Sequence, residues 1–383
     1  MSLQHLSVII VGAGFGGLAA AIELRQRGAK VVVFEASENF EKQGERLSHP
    51  SHPEKLLRTG QEMSSRSVRM EPESFANGRT FWENFLSVSS QFEVAEIYDK
   101  TGKLLLTQHT QTEFDGNPAV FTARGKLHKM MFDYAKSLGA NIQLGAKITK
   151  YWEDDTGAGI FVAGTKDKAD IAESWNLEGD KEGMLECVKG WDETFRQVVS
   201  AIPDGNLIDY KILWRDPVRQ WVSGNGHIAL LGDAAHPHLA TAATGGAQAM
   251  EDAVTIATLL ELLGKEQIPL ALKAYDALRY QRTSLTQRLG WETRHRWHFT
   301  DWEAVAKNPE LLKLPQPTWL QCHDAETYAR ENVDAVVSHL KHGTPFTSTN
   351  VPQGHVHQDW TIADMVRMEK EKVHNGSFYK ATQ

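Results

Sequence analysis

Val8 to Val11 form an unbroken apolar run that stops at Gly12. A run of this kind predicts a buried strand of a parallel sheet. Glycines follow at 12, 14 and 17. Ala19, Ala20, Ile22 and Leu24 then recur at helical spacing, and Gly28 ends the helix. A second apolar run, Val31 to Phe34, closes on Glu35. The unit is strand, glycine turn, helix, strand. A second junction lies in "IALLGDAAHPHLATAATGGAQAMED", Ile228 to Asp252. Its apolar start predicts another strand, ending in Asp233. Gly245 and Gly246 open a helix with apolar positions at Ala249, Ala253, Ile256, Leu260 and Leu263. Further on, "DAETYARENVDAVVSHLKHG" reads as a helix from Asp324 with Gly343 as its stop. The charged ending "VRMEKEKVHNGSFYKATQ" reads as a fraying tail.

Composition narrows the class. The 383 residues suffice for a large core and two or three domains. With 41% apolar and 23% charged residues the chain reads as globular. A formal charge of -8 without like-charge blocks argues against nucleic acid as a partner. Two cysteines, Cys187 and Cys322, exclude a disulfide scaffold. The amino-terminal apolar run is short, lacks a basic n-region and breaks into glycines, and no run is long enough to span a membrane. The expected compartment is the cytosol.

The first junction has the parts of a dinucleotide site. Gly12 makes the tight turn, Gly14 lets backbone approach a pyrophosphate, and Gly17 lets helix and strand pack closely. The helix start offers free amides and a positive dipole end. Glu35 follows at the distance where an acid holds ribose hydroxyls, and its charge repels a 2′-phosphate, so FAD or NAD is expected rather than NADP. The second junction separates these two. NAD needs no further acid and helix mouth some 200 residues downstream. FAD does: its ribitol calls for an acid, and its flavin ring for amides where reduction places negative charge.

On these residues the chain resembles the class A FAD-dependent monooxygenases, in the branch of the fungal salicylate-hydroxylase-like enzymes, relatives of para-hydroxybenzoate hydroxylase. The resemblance rests on Gly12, Gly14, Gly17 and Glu35 and on "GDAAHPHLATAATGGAQAMEDA". It rests also on "FTARGKLHKMMFDYAKSLGANIQLGAKI", "IDYKILWRDPVRQWV" and "RWHFTDWEAVAKNPELLKLPQP". It implies an α/β fold: a Rossmann-like FAD-binding domain of the glutathione-reductase type, a reduced β-sheet substrate domain and a helical C-terminal region. The corresponding segments are 1–45, 105–162 and 222–290 for FAD binding, 86–104 and 163–221 for the substrate domain, and 291–383 for the C-terminal region. It implies that Asp233 contacts the ribitol, that Pro237 shapes the loop beneath the flavin, that Gly245 and Gly246 line its pyrimidine edge, and that Arg124 starts a helix and contacts FAD. His236 and His238 are expected to serve loop structure. No residue is assigned as the catalytic base.

The implied reaction hydroxylates a phenolic or other small aromatic substrate. NAD(P)H, as co-substrate, reduces FAD, and O2 then forms a flavin C4a-hydroperoxide. Two other readings stay open: a flavin-binding but catalytically impaired truncated homologue, and an NAD-dependent dehydrogenase, which leaves the second junction unexplained. The truncated reading has a basis. The family's second FAD strand, an acid-Gly followed by Ser and Arg, is missing after "GAKITKYWEDDTGAGIFV", and Asp204-Gly205 does not replace it. Its loss predicts a gap or an exposed sheet edge. The segment Gly44 to Phe85, with His49 and His52 in a proline-rich loop, also departs from the family.

"WETRHRWHFTDWE" spaces His295, His298 and Asp301 as a two-His-one-carboxylate iron site would. The favoured reading is a polar segment packed through Trp291, Trp297 and Trp302, and no metal is expected. The helix from Asp324 is read as a packing element, with a homodimer interface as the alternative use.

Overall fold

The computed structural model describes residues 2–38, 78–162, 177–203, 207–209, 214–313 and 317–371. The expected first unit is present. Strand β1, Ser7–Val11, leads through the glycine turn into helix α1, Phe15–Gln26, and back to strand β2, Lys30–Phe34. The strands run parallel, with Ser7 opposite Lys30 and Val11 opposite Phe34. Gly28, at φ +94°, reverses the chain after α1.

Helix α2, Gly78–Ser87, precedes a hairpin of β3, Val94–Tyr98, and β4, Leu104–His109. Helix α3, Arg124–Ser137, then delivers β5, Asn141–Gln143, which joins β2 in parallel. The sheet order is β1-β2-β5. A second hairpin follows, β6, Ile148–Asp154, with β7, Gly157–Val162. Short helices α4, Lys181–Cys187, and α5, Glu193–Ser200, come next. The helical half comprises α6, Gly245–Leu263, the 31-residue α7, Ile268–His298, α8, Trp302–Lys307, α9, Thr318–Gln321, α10, Ala325–His342, and α11, Ile362–Lys370. Asp324 caps α10 by accepting from the Thr327 amide, and Gly343 stops it at φ +70°, as expected.

The core lies between α1, α3, α6 and α7. Leu18, Ile22, Val33, Met131, Ala253, Leu259, Tyr275 and Leu278 are all fully buried there. α1 meets α6 through small residues: a Cβ at Gly16 would stand 2.4 Å from Leu231 Cδ1 and 3.2 Å from Ala249 Cβ. That closeness brings the first glycine turn beside the second junction.

Two strand expectations need correction. β1 is not buried on both sides, for Ile9 and Val11 are each 44% exposed while Ile10 is buried. Among the described residues β1 pairs with no strand other than β2. The run before Asp233 likewise forms no strand. Its partners are local: Leu230 N–H donates to Trp221 O at 2.9 Å, and Ser223 N–H to Ile228 O at 2.9 Å, around a single bridge between Val222 and Ala229. The bonds that would have tied this run into the sheet close a loop instead, and a 3-10 turn, Gly232–Ala234, follows.

Most of Gly44 to Phe85, with His49 and His52, lies outside the described residues, as do Asp204-Gly205 and the tail from residue 372.

Candidate functional site

The first glycine turn is built by the chain's own bonds. Gly12 N–H donates to Phe34 O at 2.8 Å, with Gly12 at φ +96°. A Cβ at Gly17 would lie 2.0 Å from Gly12 O, so Gly17 is required for packing. Gly14 differs. Its φ of -72° and ψ of -176° suit any residue, and a Cβ there would meet nothing within 4 Å. Neither backbone nor packing asks for glycine at 14. Beside it, the first amides of α1 have no intrahelical acceptor.

Glu35, one residue past β2, grips this turn. Its Oε2 accepts from the Ala13 amide and its Oε1 from the Ser37 amide, both at 2.8 Å. On the other side of the same residue, His128 of α3 lies with Nε2 2.6 Å from Ala13 O. A carbonyl only accepts, so Nε2 carries the proton. Burial lowers the His128 pKa, partly opposed by that bond, and the ring is neutral near pH 7. Phe15 packs edge-on to His128 at 5.5 Å, and the Arg124 guanidinium lies 5.4 Å over the Phe15 ring. Arg124 is the first residue of α3, as expected.

Asp233 sits within the 3-10 turn of the second junction. Its surface is open to solvent, but protein crowds its other sides. That crowding raises its pKa, opposed by His236, Arg124, the His238 backbone amide and Arg215. Arg124 and Asp233, distant in sequence, thus come into electrostatic reach of each other. Arg215 was not singled out from the sequence. Pro237 is buried, and its carbonyl accepts from Gln287 Nε2 at 3.0 Å. Gly245 opens α6 so close to His238 that a Cβ would stand 3.1 Å from His238 Cβ, and Gly246 follows as the second residue of the helix. Ala243, just before, takes a left-handed φ of +52°. Thr244, 2% exposed, makes no side-chain cap to α6, and its Oγ1 has no hydrogen-bond partner among the described residues. An orphaned hydroxyl at a helix mouth is placed to meet a polar group from outside the chain.

Beneath this surface runs an ionic network that sequence reading missed. Asp252, fully buried, accepts at Oδ2 from Gly232 N at 2.9 Å and His236 Nε2 at 2.5 Å, and at Oδ1 from Arg279 Nε at 2.8 Å. Glu251 pairs with Arg279 and receives Arg282 Nε at 2.8 Å. Burial pushes the Glu251 carboxyl up, but Arg282 and Arg279 outweigh it and hold it well below the usual carboxylate range. Arg282 Nη1 also donates to Trp319 O at 2.8 Å and Asn350 O at 2.9 Å, tying the C-terminal segments to α7. A signal existed: Asp252 is three residues after Ala249 and four before Ile256, on the buried stripe of α6.

His236 and His238 serve loop structure. His236 is 1% exposed, and His238 donates from Nδ1 to His236 O at 2.7 Å while its Nε2 faces Thr286 Oγ1 at 2.8 Å. Burial, with His236 beside it, drives the His238 pKa down to about 3. His295 Nδ1 lies 3.1 Å from Glu369 Oε1, and Asp301 caps α8. The side chains of Trp297 and His298 lie outside the described residues. No metal-holding group of His, Cys, Asp or Glu occurs among the described residues. Trp291 stacks on Trp214 at 4.2 Å, with Trp360 6.1 Å from Trp214. Trp302 does not share that packing, being 58% exposed at the start of the short α8. Cys187 and Cys322 form no disulfide. No described helix is long and apolar enough to cross a membrane.

The chain is similar to known proteins in sequence and in fold. Residues 6–135 match the profile described as "Pyridine nucleotide-disulphide oxidoreductase", and residues 207–288 that described as "FAD binding domain". The chain is 28% identical to the asperlicin C monooxygenase of Petromyces alliaceus, over 90% of this chain and 93% of that protein. That alignment runs over 449 positions, more than the 383 residues present here, so the relative carries segments without a counterpart in this chain. The FAD-dependent monooxygenase fsr3 of Gibberella fujikuroi is 37% identical over 51% of this chain and 38% of its own length. Among solved structures, native FqzB superposes with a TM-score of 0.74 at 25% identity, covering 93% of this chain and 99% of FqzB. CtdE in complex with FAD and its substrate shares the fold, with a TM-score of 0.70 at 23% identity over 88% of this chain and 99% of CtdE.

Proposed function

We propose, for a chain that belongs to the family of FAD-dependent monooxygenases, that its two glycine-bearing junctions together bind FAD and that the enzyme hydroxylates a small phenolic or other aromatic molecule with NAD(P)H and O2. The observation that carries the reading is Gly14, a glycine that neither packing nor backbone demands, at a helix start beside Glu35. Arg124 reaches the second junction from there through its charge on Asp233.

The residues fit the cofactor. Gly12, Gly14 and Gly17 with the amides of α1 would take the pyrophosphate, and Glu35 the adenosine ribose, using lone pairs left over from Ala13 and Ser37. Asp233 would take the ribityl hydroxyls and Arg124 would offset phosphate charge. Pro237, Gly245 and Gly246 would face the flavin, with Thr244 Oγ1 as a further polar contact. Bound FAD supplies two-electron transfer from a nicotinamide and activation of O2. The protein's share is to orient the ring and exclude water. The FAD-binding part is taken as 1–45, 105–162 and 222–290, with 86–104 and 163–221 as the reduced substrate domain and 291–383 as the C-terminal region. The lack of a second partner for β1 among the described residues, and the segments of the asperlicin C monooxygenase that have no counterpart in this chain, favour a second reading, a flavin-binding chain without turnover. The test is NAD(P)H oxidation by the FAD-loaded protein over a panel of phenols. Substrate-stimulated oxidation with a hydroxylated product is the expected result. Flavin binding without stimulation by any panel member supports the second reading.

A further inference from the structure

Asp233 cannot orient itself, because it stands in the middle of a turn. Ala235 N–H and His236 N–H both donate to Gly232 O, at 2.9 and 2.8 Å, so the turn is closed on itself. Its position in the molecule is then set where its two ends are tied down. Both ends meet a single atom: Asp252 Oδ2 accepts the Gly232 amide at 2.9 Å and His236 Nε2 at 2.5 Å. Arg279 Nε donates to the other oxygen at 2.8 Å and keeps a fully buried carboxylate charged. The tie extends past the turn. The His238 backbone amide donates to Asp233, while its ring is fixed between His236 O and Thr286 Oγ1. At 1% exposure, packed 5.3 Å from the Trp221 ring, His236 does not reach the surface where a substrate would lie.

We propose that Asp252 and His236 are positioning residues that hold Asp233 against the ribityl chain of FAD. The inference rests on the FAD reading above and adds the device that makes Asp233 usable. His236 acts through one N–H at Nε2. A glutamine places an amide N–H close to that point, and a leucine does not.

The experiment is a double-mutant cycle on FAD affinity, read by flavin fluorescence, with the melting temperature of each apo-protein recorded alongside. His236→Leu is expected to weaken FAD binding by about 10- to 100-fold. His236→Gln is expected to stay within about threefold of wild type. In an Asp233→Asn background, His236→Leu is expected to add less than about threefold, because its effect passes through Asp233. Thr286→Val, which removes the ring partner of His238, gives the same cycle if His236→Leu does not fold. Multiplicative effects of the two sites, or wild-type affinity in His236→Leu, overturn the proposal while leaving the FAD reading standing. A folded wild-type chain that takes up no FAD overturns both.

Discussion

The Ala13 amide donates to Oε2 of Glu35 at 2.8 Å, so the acid at the end of β2 is already aimed at the glycine turn by the fold itself. A charge-assisted bond of this type is stronger than a neutral one. Glu35→Gln keeps the size and loses the charge. FAD affinity is expected to fall by about tenfold or more, since the ribose hydroxyls lose an ionised acceptor. Fluorescence titration of the variant checks this, and unchanged affinity would place the adenosine elsewhere.

Gly14 and Gly17 are expected to behave oppositely. At Gly17 a Cβ collides with Gly12 O at 2.0 Å, and Gly17→Ala lowers the melting temperature of the apo-protein. At Gly14 the same addition meets only open space. Gly14→Val is expected to melt like wild type and to lose FAD. A Gly14→Val protein that retains full flavin content contradicts the assignment of the pyrophosphate to this turn.

Glu251 neutralises two guanidinium groups in the core. Glu251→Ala leaves Arg282 without its ionic partner, and Arg279 with Asp252 alone. Breaking a buried pair in this way costs about 3–5 kcal/mol. Urea unfolding at pH 7 measures it. Because Arg282 also binds the carbonyls of Trp319 and Asn350, the C-terminal segments should become protease-sensitive in the same variant. A loss below about 1 kcal/mol would mean the network contributes little.

His323, beside that network, sets an acid limit. Burial, with Arg282 near it, lowers its pKa from 6.5 to about 3. The unfolded chain therefore binds a proton that the folded chain refuses between those values. The stability contributed is full above pH 6.5 and is lost as pH falls towards 3. Asp276, raised by burial to about 6, works in the opposite direction across part of this range, so the comparison must be between variants. From pH 7 to pH 5, His323→Gln should lose about 2 kcal/mol less than wild type. Equal losses in the two proteins contradict a neutral buried His323.

The first glycine turn was legible because strand, glycines, helix and acid follow one another locally. The mouth of α6 and both ends of α10 were legible for the same reason, their caps and stops being nearest neighbours in sequence. The network of Glu251, Asp252, Arg279 and Arg282 was not. Charged residues on a helix normally mark its wet face, and these find partners about thirty residues away on another helix. Four apolar residues lead into Asp233, and that pattern by itself predicts a strand. Whether such a run joins a sheet depends on a neighbour, and among the described residues no strand lies beside it.

On the proposed reading, the three-stranded sheet of the described residues presents a working FAD site. The most direct test is the visible absorption of the purified protein with its flavin released and quantified, after saturation with FAD and removal of the excess. A flavin-to-protein ratio near one is expected. A folded, cooperatively melting protein that stays colourless would contradict the claim.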